Sequence, residues 1–415
     1  MGASATKVWL RDLRRVAVSA HRRFILILGA ISAIGPLSID MYLPSLPAIG
    51  HDLQADAASV QMTVTAYFVG LAIGQLAYGP ISDRYGRTQP LLFGLALYAL
   101  ASIGCALAPS VEALIGMRFL QALGGCAGMV ITRAMVRDRF PVDEVAKVLS
   151  ALVLVMGVAP ILAPTLGGKI YLWFGWHAIF VVLVGYALLC IAAIVFGVEE
   201  APRERAPPLA VRSVAKDYLR IVSHRRFMGY ALAGGCAQAG MFAYITASPF
   251  VFIDYFGLAP DHYGFLFGAN AFGLIFASQL NARVLRHFRA EKLLRTTLMI
   301  YLCAAMLMLA CASTGFGGFW GIALPLVVCT SCLGFTFPNS QAGAMAPFGD
   351  RAGMASAMLG TLQFVLAGLS SIVVAALHSG NALGMAATIA FWAVLAQVML
   401  RTLVKPPKAK TPFLE

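Results

Sequence analysis

Two charged residues lie deep inside long apolar segments of this sequence, and their chemical types indicate proton chemistry. Of the 49 Asp, Glu, Lys and Arg residues, only Asp40 and Arg118 are placed in this way. If these segments span a membrane, each charge costs about 2.5–3.5 kcal/mol at the bilayer centre and needs a partner or an aqueous cavity. A carboxyl group takes up and releases protons, whereas a guanidinium stays charged. We therefore predict that Asp40 is an exchangeable proton site and that Arg118 tunes it.

The helical faces that carry these two charges are small and polar. Spacings of three and four residues place the members of each set on one side of a helix. The first set is Gly29, Ser32, Pro36 and Asp40, and the second is Arg118, Gln121, Gly125, Gly128 and Thr132. Such faces predict contact with a cavity, with both charges roughly 10 Å below the same membrane surface. A static ion pair that fixes helix packing is the alternative interpretation.

The composition assigns these residues to a membrane protein. The chain has 415 residues, of which 60% are hydrophobic and 12% charged, whereas a soluble domain is about half apolar and a quarter charged. Transmembrane β-barrels show short alternating segments, but the apolar runs in this chain are long and continuous. Runs of spanning length occur near residues 24–47, 60–80, 90–108, 112–132, 147–169, 175–197, 227–250, 262–282, 293–312, 318–340, 352–376 and 383–404. The sequence therefore predicts an all-α membrane protein with twelve transmembrane helices.

The distribution of basic residues predicts the orientation of these spans. The chain carries 31 Lys and Arg against 18 Asp and Glu, a formal net charge of +13. If the N-terminus is cytoplasmic, 29 of the 31 basic residues fall on the cytoplasmic side, with Lys169 opposite and Arg118 inside a span. Because cytoplasmic loops are enriched in Lys and Arg, both termini are predicted to be cytoplasmic. The positive charge thus reflects orientation, and nucleic acid is not expected as a partner.

The sequence divides into two related halves. The tetrapeptide His-Arg-Arg-Phe begins at residue 21 before the first span and again at residue 224 before the seventh. Residues 74–76, Gly-Gln-Leu, are echoed at nearly the same offset by Ser-Gln-Leu at 278–280. Parallel repeats are typical of transporters that bind their substrate near mid-depth between the halves. We predict a tail, a six-helix bundle, a linker with a helix on the inner membrane surface, a second six-helix bundle and a second tail, at residues 1–23, 24–197, 198–226, 227–404 and 405–415.

The link between the second and third spans carries a motif. Residues 79–87 read Gly-Pro-Ile-Ser-Asp-Arg-Tyr-Gly-Arg, which resembles the loop signature of the major facilitator superfamily, Gly-x-x-x-Asp-Arg-x-Gly-Arg. Gly79 and Gly86 permit tight backbone turns in so short a link, and Asp83 offers a carboxylate to a helix N-terminus or a nearby arginine. The resemblance implies the major facilitator fold of two six-helix pseudo-repeats.

The same resemblance assigns a role to the charged residues of this motif. In the superfamily, this loop latches the two halves together on the cytoplasmic side, with its Asp near the start of the eleventh span. Asp83 would take that position in this chain, together with Arg84 and Arg87. The corresponding link of the second half, residues 281–289, keeps positive charge but lacks the Asp and the glycines. A symmetric latch is therefore not expected.

Two further segments are similar to superfamily motifs inside spans. Residues 118–122 resemble Arg-x-x-Gln-Gly, with Ala122 in place of the final Gly. The fifth span ends in a segment that resembles the antiporter signature Gly-Pro-x-x-Gly-Gly, with Ala163 in place of the first Gly. The residues assigned to this signature are Gly157, Pro160, Pro164, Gly167 and Gly168. Generic close packing of helices through small residues is the alternative explanation.

The end of the first span narrows the resemblance to one branch. Residues 40–47 read Asp-Met-Tyr-Leu-Pro-Ser-Leu-Pro, and residues 247–251 read Ala-Ser-Pro-Phe-Val. With the other motifs, these segments resemble the Bcr/CflA multidrug-resistance branch of the drug:proton antiporters over about residues 20–404. The resemblance implies export of bicyclomycin- or chloramphenicol-like antibiotics from the bacterial cytoplasm in exchange for protons. It also implies a multi-pass protein of the bacterial inner membrane.

The resemblance also points to residues that would contact the substrate. In the superfamily, spans one, four, seven and ten line the central cavity, and aromatic and Met side chains suit varied apolar drugs. The candidates are Tyr42, Gln121, Met129, Gln238, Phe242 and Asn339. Each of them also fits simple helix packing.

Other functions are less compatible with the sequence. An enzyme needs catalytic or metal-binding residues clustered at one depth, but the seven His residues are scattered and no carboxylate cluster appears. We therefore expect no enzyme activity, cofactor or metal site, and no repeated channel filter is present. A proton-linked exporter or importer of a small metabolite, such as an amino acid or sugar, is the alternative function. The expected partners are a small-molecule drug, protons and the lipid bilayer, and we expect a monomer.

Overall fold

The secondary structure that the computed structural model describes consists of helices joined by short links. The described residues are 23–198, 211–348 and 352–404, and within them no strand occurs. Most of both predicted tails and the first part of the predicted linker lie outside the described residues. The long helices are α1 (Arg23–Asp52), α2 (Ala57–Tyr85), α3 (Thr88–Ala106), α4 (Val111–Arg139), α5 (Val142–Phe174), α6 (His177–Gly197), α7 (Arg225–Tyr255), α8 (Pro260–Val284), α9 (Ala290–Thr314), α10 (Gly318–Met345), α11 (Ala352–Ala376) and α12 (Leu383–Leu403).

These helices correspond to the predicted spans, although several are longer. The second span, predicted at 60–80, runs from Ala57 to Tyr85. Asp56 begins this helix, because its carboxylate accepts a hydrogen bond from the N–H of Ser59 at 2.8 Å. The apolar pattern marks the part of a helix that suits a membrane, whereas capping residues extend the helix beyond it.

The class of helical membrane protein is confirmed. Eleven helices among the described residues are long and apolar enough to cross a membrane, and α5 is not among these eleven. The count of twelve spans and the cytoplasmic location of both termini stay predictions.

Two of the long helices are irregular near one end. α1 breaks into a 3-10 turn at Leu43–Ser45. Pro44 in this turn and Pro47 beyond it lack the N–H group that a continuous helix requires. α7 ends in a π-helical turn, Phe250–Tyr255, directly after Pro249. Both irregular turns coincide with the two segments that carry the resemblance to the drug:proton antiporter branch.

The described residues form two compact units. The first contains residues 23–198 and 249–269, and the second contains residues 211–248, 270–348 and 352–404. The last turn of α7 and the first part of α8 thus belong to the first unit. The division into two six-helix bundles, which was drawn from the sequence repeat, stays a prediction.

In the first unit, α2 and α3 both pack along α4. Glycines permit the close approach: a methyl group on Gly94 of α3 would collide with Ala127 and with the carbonyl oxygen of Gly124. A methyl group on Gly70 of α2 would likewise collide with Ala122. α4 is therefore a central helix of this unit, and its small residues set the distance to both neighbours.

In the second unit, α9 packs against α10 and α12. A further helix, Val211–Val222, which we call the linker helix, lies against α11. Ile221 of the linker helix is buried, whereas Lys216 and Arg220 are exposed. The structure thus has a helix where the sequence predicts one, and its location on the inner membrane surface stays a prediction.

Candidate functional site

Arg118 is fully buried inside the first unit. Its Nη1 atom donates hydrogen bonds to the carbonyl oxygen of Ser38 in α1, at 3.0 Å, and to the Oε1 atom of Gln121, at 2.6 Å. Its Nε and Nη2 atoms have no hydrogen-bond partner among the described residues. The guanidinium group therefore retains two donor atoms without acceptors.

Aromatic rings surround the same guanidinium group. Its central carbon lies 4.2 Å from the ring centroid of Tyr67 in α2, 4.5 Å from that of Tyr42 in α1 and 5.9 Å from that of Phe180 in α6. A desolvated cation–π contact is worth about 2 kcal/mol or more. These rings offset part of the cost of burying a cation that has no carboxylate partner among the described residues.

A chain of hydrogen bonds extends from Arg118 to α3. The Nε2 atom of Gln121 donates to the hydroxyl oxygen of Ser102 at 2.7 Å. The hydroxyl groups of Ser38 and Tyr98 lie 2.5 Å apart. These contacts join α1 and α3 to α4 around one buried charge, so the orientation of α1 is coupled to the position of Arg118.

Asp40 is buried in the same unit, with 4% of its surface exposed. It follows Ser38 by two residues, which places the two side chains on different sides of the helix. Among the described residues, no ion pair joins Asp40 to Arg118. The structure thus has both predicted charges on neighbouring buried helices. The carbonyl of Ser38 accepts the hydrogen bond from Arg118 that the carboxylate of Asp40 would accept in a static ion pair.

The polar face of α4 packs against α1. The hydroxyl groups of Ser32 and Thr132 lie 3.1 Å apart, and a methyl group on Gly128 would collide with Ile31. Every residue predicted on this face of α4 is buried. Small and hydroxyl residues also permit close approach of two helices, and contact of this face with a cavity stays a prediction.

The substrate candidates of the first unit make internal contacts. The hydroxyl group of Tyr42 lies 2.8 Å from the Oγ1 atom of Thr63. The Sδ atom of Met129 packs onto Gly35 of α1. Gln121 bonds to Arg118, as described above. Their role as substrate contacts stays a prediction.

The substrate candidates of the second unit are also buried. The Nδ2 atom of Asn339 donates to the Oδ1 atom of Asn281 at 2.9 Å. The ring of Phe242 lies 6.1 Å from that of Phe364. Gln238 differs, because its Oε1 atom has no hydrogen-bond partner among the described residues. A buried acceptor of this kind is suited to a polar group of a ligand.

The predicted cytoplasmic motif is held together by Arg87. This residue forms ion pairs with Asp83 and with Asp138 at the end of α4, each at 2.8 Å. It also donates to the hydroxyl oxygen of Ser82 at 2.7 Å. Asp138 was not predicted, since it is one of many charged residues in the links. The position of Asp83 near the start of α11 stays a prediction.

The two glycines of this motif differ in conformation. Gly86 has φ 86° and ψ 176°, a combination that is essentially restricted to glycine, so the predicted tight turn is confirmed there. The predicted turn at Gly79 is wrong, because Gly79 lies inside α2, which continues through Pro80. Nothing lies within 4 Å of a methyl group built on Gly79.

The end of α5, which carries the antiporter-like signature, makes backbone contacts within the first unit. A methyl group on Gly168 would collide with the backbone of Pro260, and one on Gly264 of α8 would collide with Thr165. A methyl group on Gly167 would collide with the backbone of α1. We call the contact of Thr165, Gly168, Pro260 and Gly264 the α5–α8 seal. The remaining signature residues, Gly157, Pro160 and Pro164, lie within α5.

Sequence reasoning missed the uncharged part of the Arg118 site. Ser38, Tyr67 and Phe180 carry no signal that separates them from the many Ser, Tyr and Phe residues in other spans. Among the described residues, no group of three or more His, Cys, Asp or Glu side chains is arranged to hold a metal ion.

Long apolar helices, two buried charged residues and close helix contacts through glycine are features of a multi-pass secondary transporter. The comparisons with known proteins give the family. The chain belongs to the Major Facilitator Superfamily, whose profile matches residues 28–371. It is therefore a transporter of small molecules in the bacterial inner membrane.

Relatives and solved structures agree with this family. The chain is 38% identical to "Uncharacterized MFS-type transporter YdgK" of Bacillus subtilis (strain 168), over 84% of this chain and 87% of the relative. It is 34% identical to "Bicyclomycin resistance protein homolog" of Haemophilus influenzae, over 86% and 90%. Together with the family profile, the relative named for bicyclomycin resistance confirms the resemblance to the drug:proton antiporter branch. The crystal structure of a D-xylose-proton symporter matches with a TM-score of 0.76, at 15% identity, over 94% of this chain and 99% of that chain, and shows the shared fold.

Proposed function

We propose that the protein exports drugs across the bacterial inner membrane in exchange for protons. It does so by alternating access, as a monomer of twelve spans with both termini in the cytoplasm, and it catalyses no chemical reaction. The relative named as a bicyclomycin resistance protein homolog supports a drug as the substrate. The location of 29 of the 31 basic residues on one side supports this topology.

The geometry of Arg118 supports the coupling to protons. This buried group retains two donor atoms without acceptors, while Asp40 is buried on the neighbouring helix α1. Carboxylates are strong acceptors for guanidinium donors, often through two parallel hydrogen bonds. Because Arg118 already holds α1 at the carbonyl of Ser38, a rotation of α1 about its axis could bring Asp40 toward the unused donors.

In the proposed cycle, Asp40 carries a proton while it is apart from Arg118 and releases it when the two groups pair. Drug binding from the cytoplasm favours the paired, deprotonated form, and a proton that arrives from outside releases the drug. The break of α1 at Leu43–Ser45 supports this movement, because the helix can rotate at Asp40 without moving its whole outer end.

Two contacts would alternate as gates in this cycle. The α5–α8 seal would close the outer side, and the loop around Arg87 would contribute the N-terminal half of a cytoplasmic latch. Ion pairs of Arg87 with Asp83 and Asp138 connect the ends of α2 and α4 at this loop, which supports a role in a latch. Gln238, with its unpartnered Oε1 atom, is the best-supported substrate contact of the second unit.

The proposal is tested with Asp40→Asn in inverted membrane vesicles that have been acidified inside. Addition of chloramphenicol or bicyclomycin to vesicles with the unchanged protein should release protons, which a pH-sensitive dye detects. Asparagine keeps the size and polarity of the side chain but cannot carry the proton. We expect proton release, and resistance of whole cells, to fall to the level of cells without the transporter.

Asp56→Asn is the matched control for this experiment. Asp56 is an exposed helix cap outside the apolar part of α2, and Asn caps a helix as well as Asp does. This variant should keep drug-driven proton release. Coupled export at the full rate by Asp40→Asn would contradict the proposal. Proton release on addition of amino acids or sugars, but not of drugs, would instead support the metabolite transporter that the sequence leaves as the alternative.

A further inference from the structure

A groove opens between α2 and α3, beside the loop around Arg87. Its volume is about 380 Å³, within the range of small-molecule sites. The floor is formed by Leu123 of α4, and the walls include Ile81, Tyr85, Gln89, Phe93 and Leu97. Apart from the amide of Gln89 and the tyrosine hydroxyl group, these side chains are apolar.

The groove follows from how the three helices pack. α2 and α3 each lie close to α4 through glycine contacts, such as those of Gly70 and Gly94, but make few contacts with each other. Tyr78 is buried between them at the base of the groove. Two helices that pack on a third without meeting leave a furrow along their common side.

The walls of this groove face outward from the unit. Phe93 is 68% exposed and Tyr85 is 56% exposed. Large apolar side chains at this exposure on a spanning helix suit contact with lipid chains. The groove ends at the link between α2 and α3, which the proposed topology puts at the cytoplasmic surface.

A cation lies at this end of the groove. The guanidinium carbon of Arg84 is 5.1 Å from the ring centroid of Tyr85, and the side chain is exposed. Among the described residues, no carboxylate pairs with Arg84, because Asp83 and Asp138 pair with Arg87. An apolar groove with a cation at the end near the membrane surface suits a phospholipid, whose acyl chains are apolar and whose headgroup is anionic.

We propose that the groove binds one anionic phospholipid of the inner leaflet. The headgroup phosphate contacts Arg84, with Gln89 as a second polar contact, and an acyl chain lies along Ile81, Tyr85 and Phe93. This inference rests on the topology of the proposed function, but lipid binding does not depend on drug or proton transport. A lipid bound there stiffens the end of α2 that carries the Arg87 loop.

The proposal is tested by native mass spectrometry of the purified full chain, exchanged into equimolar phosphatidylglycerol and phosphatidylethanolamine. The unchanged protein should retain one phosphatidylglycerol in preference to phosphatidylethanolamine. Arg84→Gln removes the cation, and Gln89→Glu puts a negative charge beside the phosphate. Each change should weaken retention about five-fold, the effect of a single charge near an anionic lipid. Both residues are exposed, so neither change is expected to prevent folding.

Arg286→Gln is the control, since Arg286 is an exposed arginine in the link between α8 and α9. It should retain the lipid like the unchanged protein. Equal loss of phosphatidylglycerol in Arg286→Gln, or equal retention of the two lipids by the unchanged protein, would overturn the proposal. Transport by Asp40→Asn tests the exporter mechanism alone, so the two proposals can fail separately.

Discussion

At the scale of single residues, the burial of Arg118 is balanced by neutral groups. The guanidinium exchanges its hydration for a backbone carbonyl, an amide oxygen and two tyrosine rings. Neutral acceptors leave the net charge of the site at one, and two of its donor atoms stay without partners. Such a site favours the arrival of one further acceptor, which is the property that the proposed exchange with Asp40 requires.

The planar shape of arginine is essential to this arrangement. Arg118→Lys keeps the charge but cannot bond to Ser38 and Gln121 while it also contacts both tyrosine rings. We expect a loss of about 2 kcal/mol in stability, the size of a charge-assisted hydrogen bond, seen as a lower Tm of the purified protein in detergent. Arg137→Lys, on the exposed side of the same helix, should leave Tm unchanged. Equal Tm values for the two variants would contradict this account.

The charged residues of the site could be predicted from sequence, but their contacts could not. Asp40 and Arg118 are conspicuous because charges are rare in apolar segments. The acceptor on α1 is the backbone carbonyl of Ser38, a group that every residue possesses. Packing at Ile31 and Gly128 sets the rotation of α1 relative to α4. This rotation brings the carbonyl of Ser38, and not the carboxylate of Asp40, to Arg118.

At the scale of elements, the α5–α8 seal depends on the absence of side chains. Gly168 lets the backbone of α5 approach the first turn of α8, and Gly264 accommodates Thr165 in return. The sequence resemblance identified the glycine of α5 but not its counterpart in α8. Glycines occur at many helix contacts within membranes, so the sequence alone does not show which helix a given glycine contacts.

A methyl group at this contact should disfavour the sealed arrangement. Gly168→Ala would collide with the backbone of Pro260, and overpacking of this kind costs about 1–3 kcal/mol. The open population should rise roughly 5- to 150-fold. The measurement is the rate at which a membrane-impermeant thiol reagent labels Thr165→Cys from outside the cell.

Gly185→Ala in α6 is the control for this measurement, since nothing lies within 4 Å of a methyl group built there. It should leave the labelling rate of Thr165→Cys unchanged. Faster labelling in Gly185→Ala than in Gly168→Ala would show that the contact with Pro260 does not govern access.

The prolines in these helices show which helix interruptions can be predicted from the sequence. The 3-10 turn of α1 follows from Pro44 and Pro47, whose missing N–H groups are evident from the residue type. Pro80, by contrast, lies inside α2 without ending it. Neighbouring helices can stabilise a helix that contains proline, so the effect of a proline depends on packing that the sequence does not state.

At the scale of the whole molecule, the proposed orientation in the membrane follows from where the basic residues behind the net charge of +13 lie along the chain. We expect Lys169→Cys, in the C-terminal part of α5, to react with an impermeant thiol reagent in intact cells. Arg286→Cys, in the link after α8, should react only after the membrane is permeabilised. Both residues are exposed, so a difference in labelling reports the side of the membrane. Labelling of Arg286→Cys in intact cells would contradict the proposed orientation.

The glycine contacts of the α5–α8 seal have a consequence for how resistance evolves. The seal consists of backbone atoms and the small side chain of Thr165, so none of its groups has to fit a particular drug. If the protein exports drugs as proposed, selection for a new antibiotic can alter residues such as Gln238 or Phe242 without disturbing the seal. Substitutions selected for a broader drug range should accumulate in the second unit and leave Gly167, Gly168 and Gly264 unchanged. The gate would then be conserved while the substrate specificity changes.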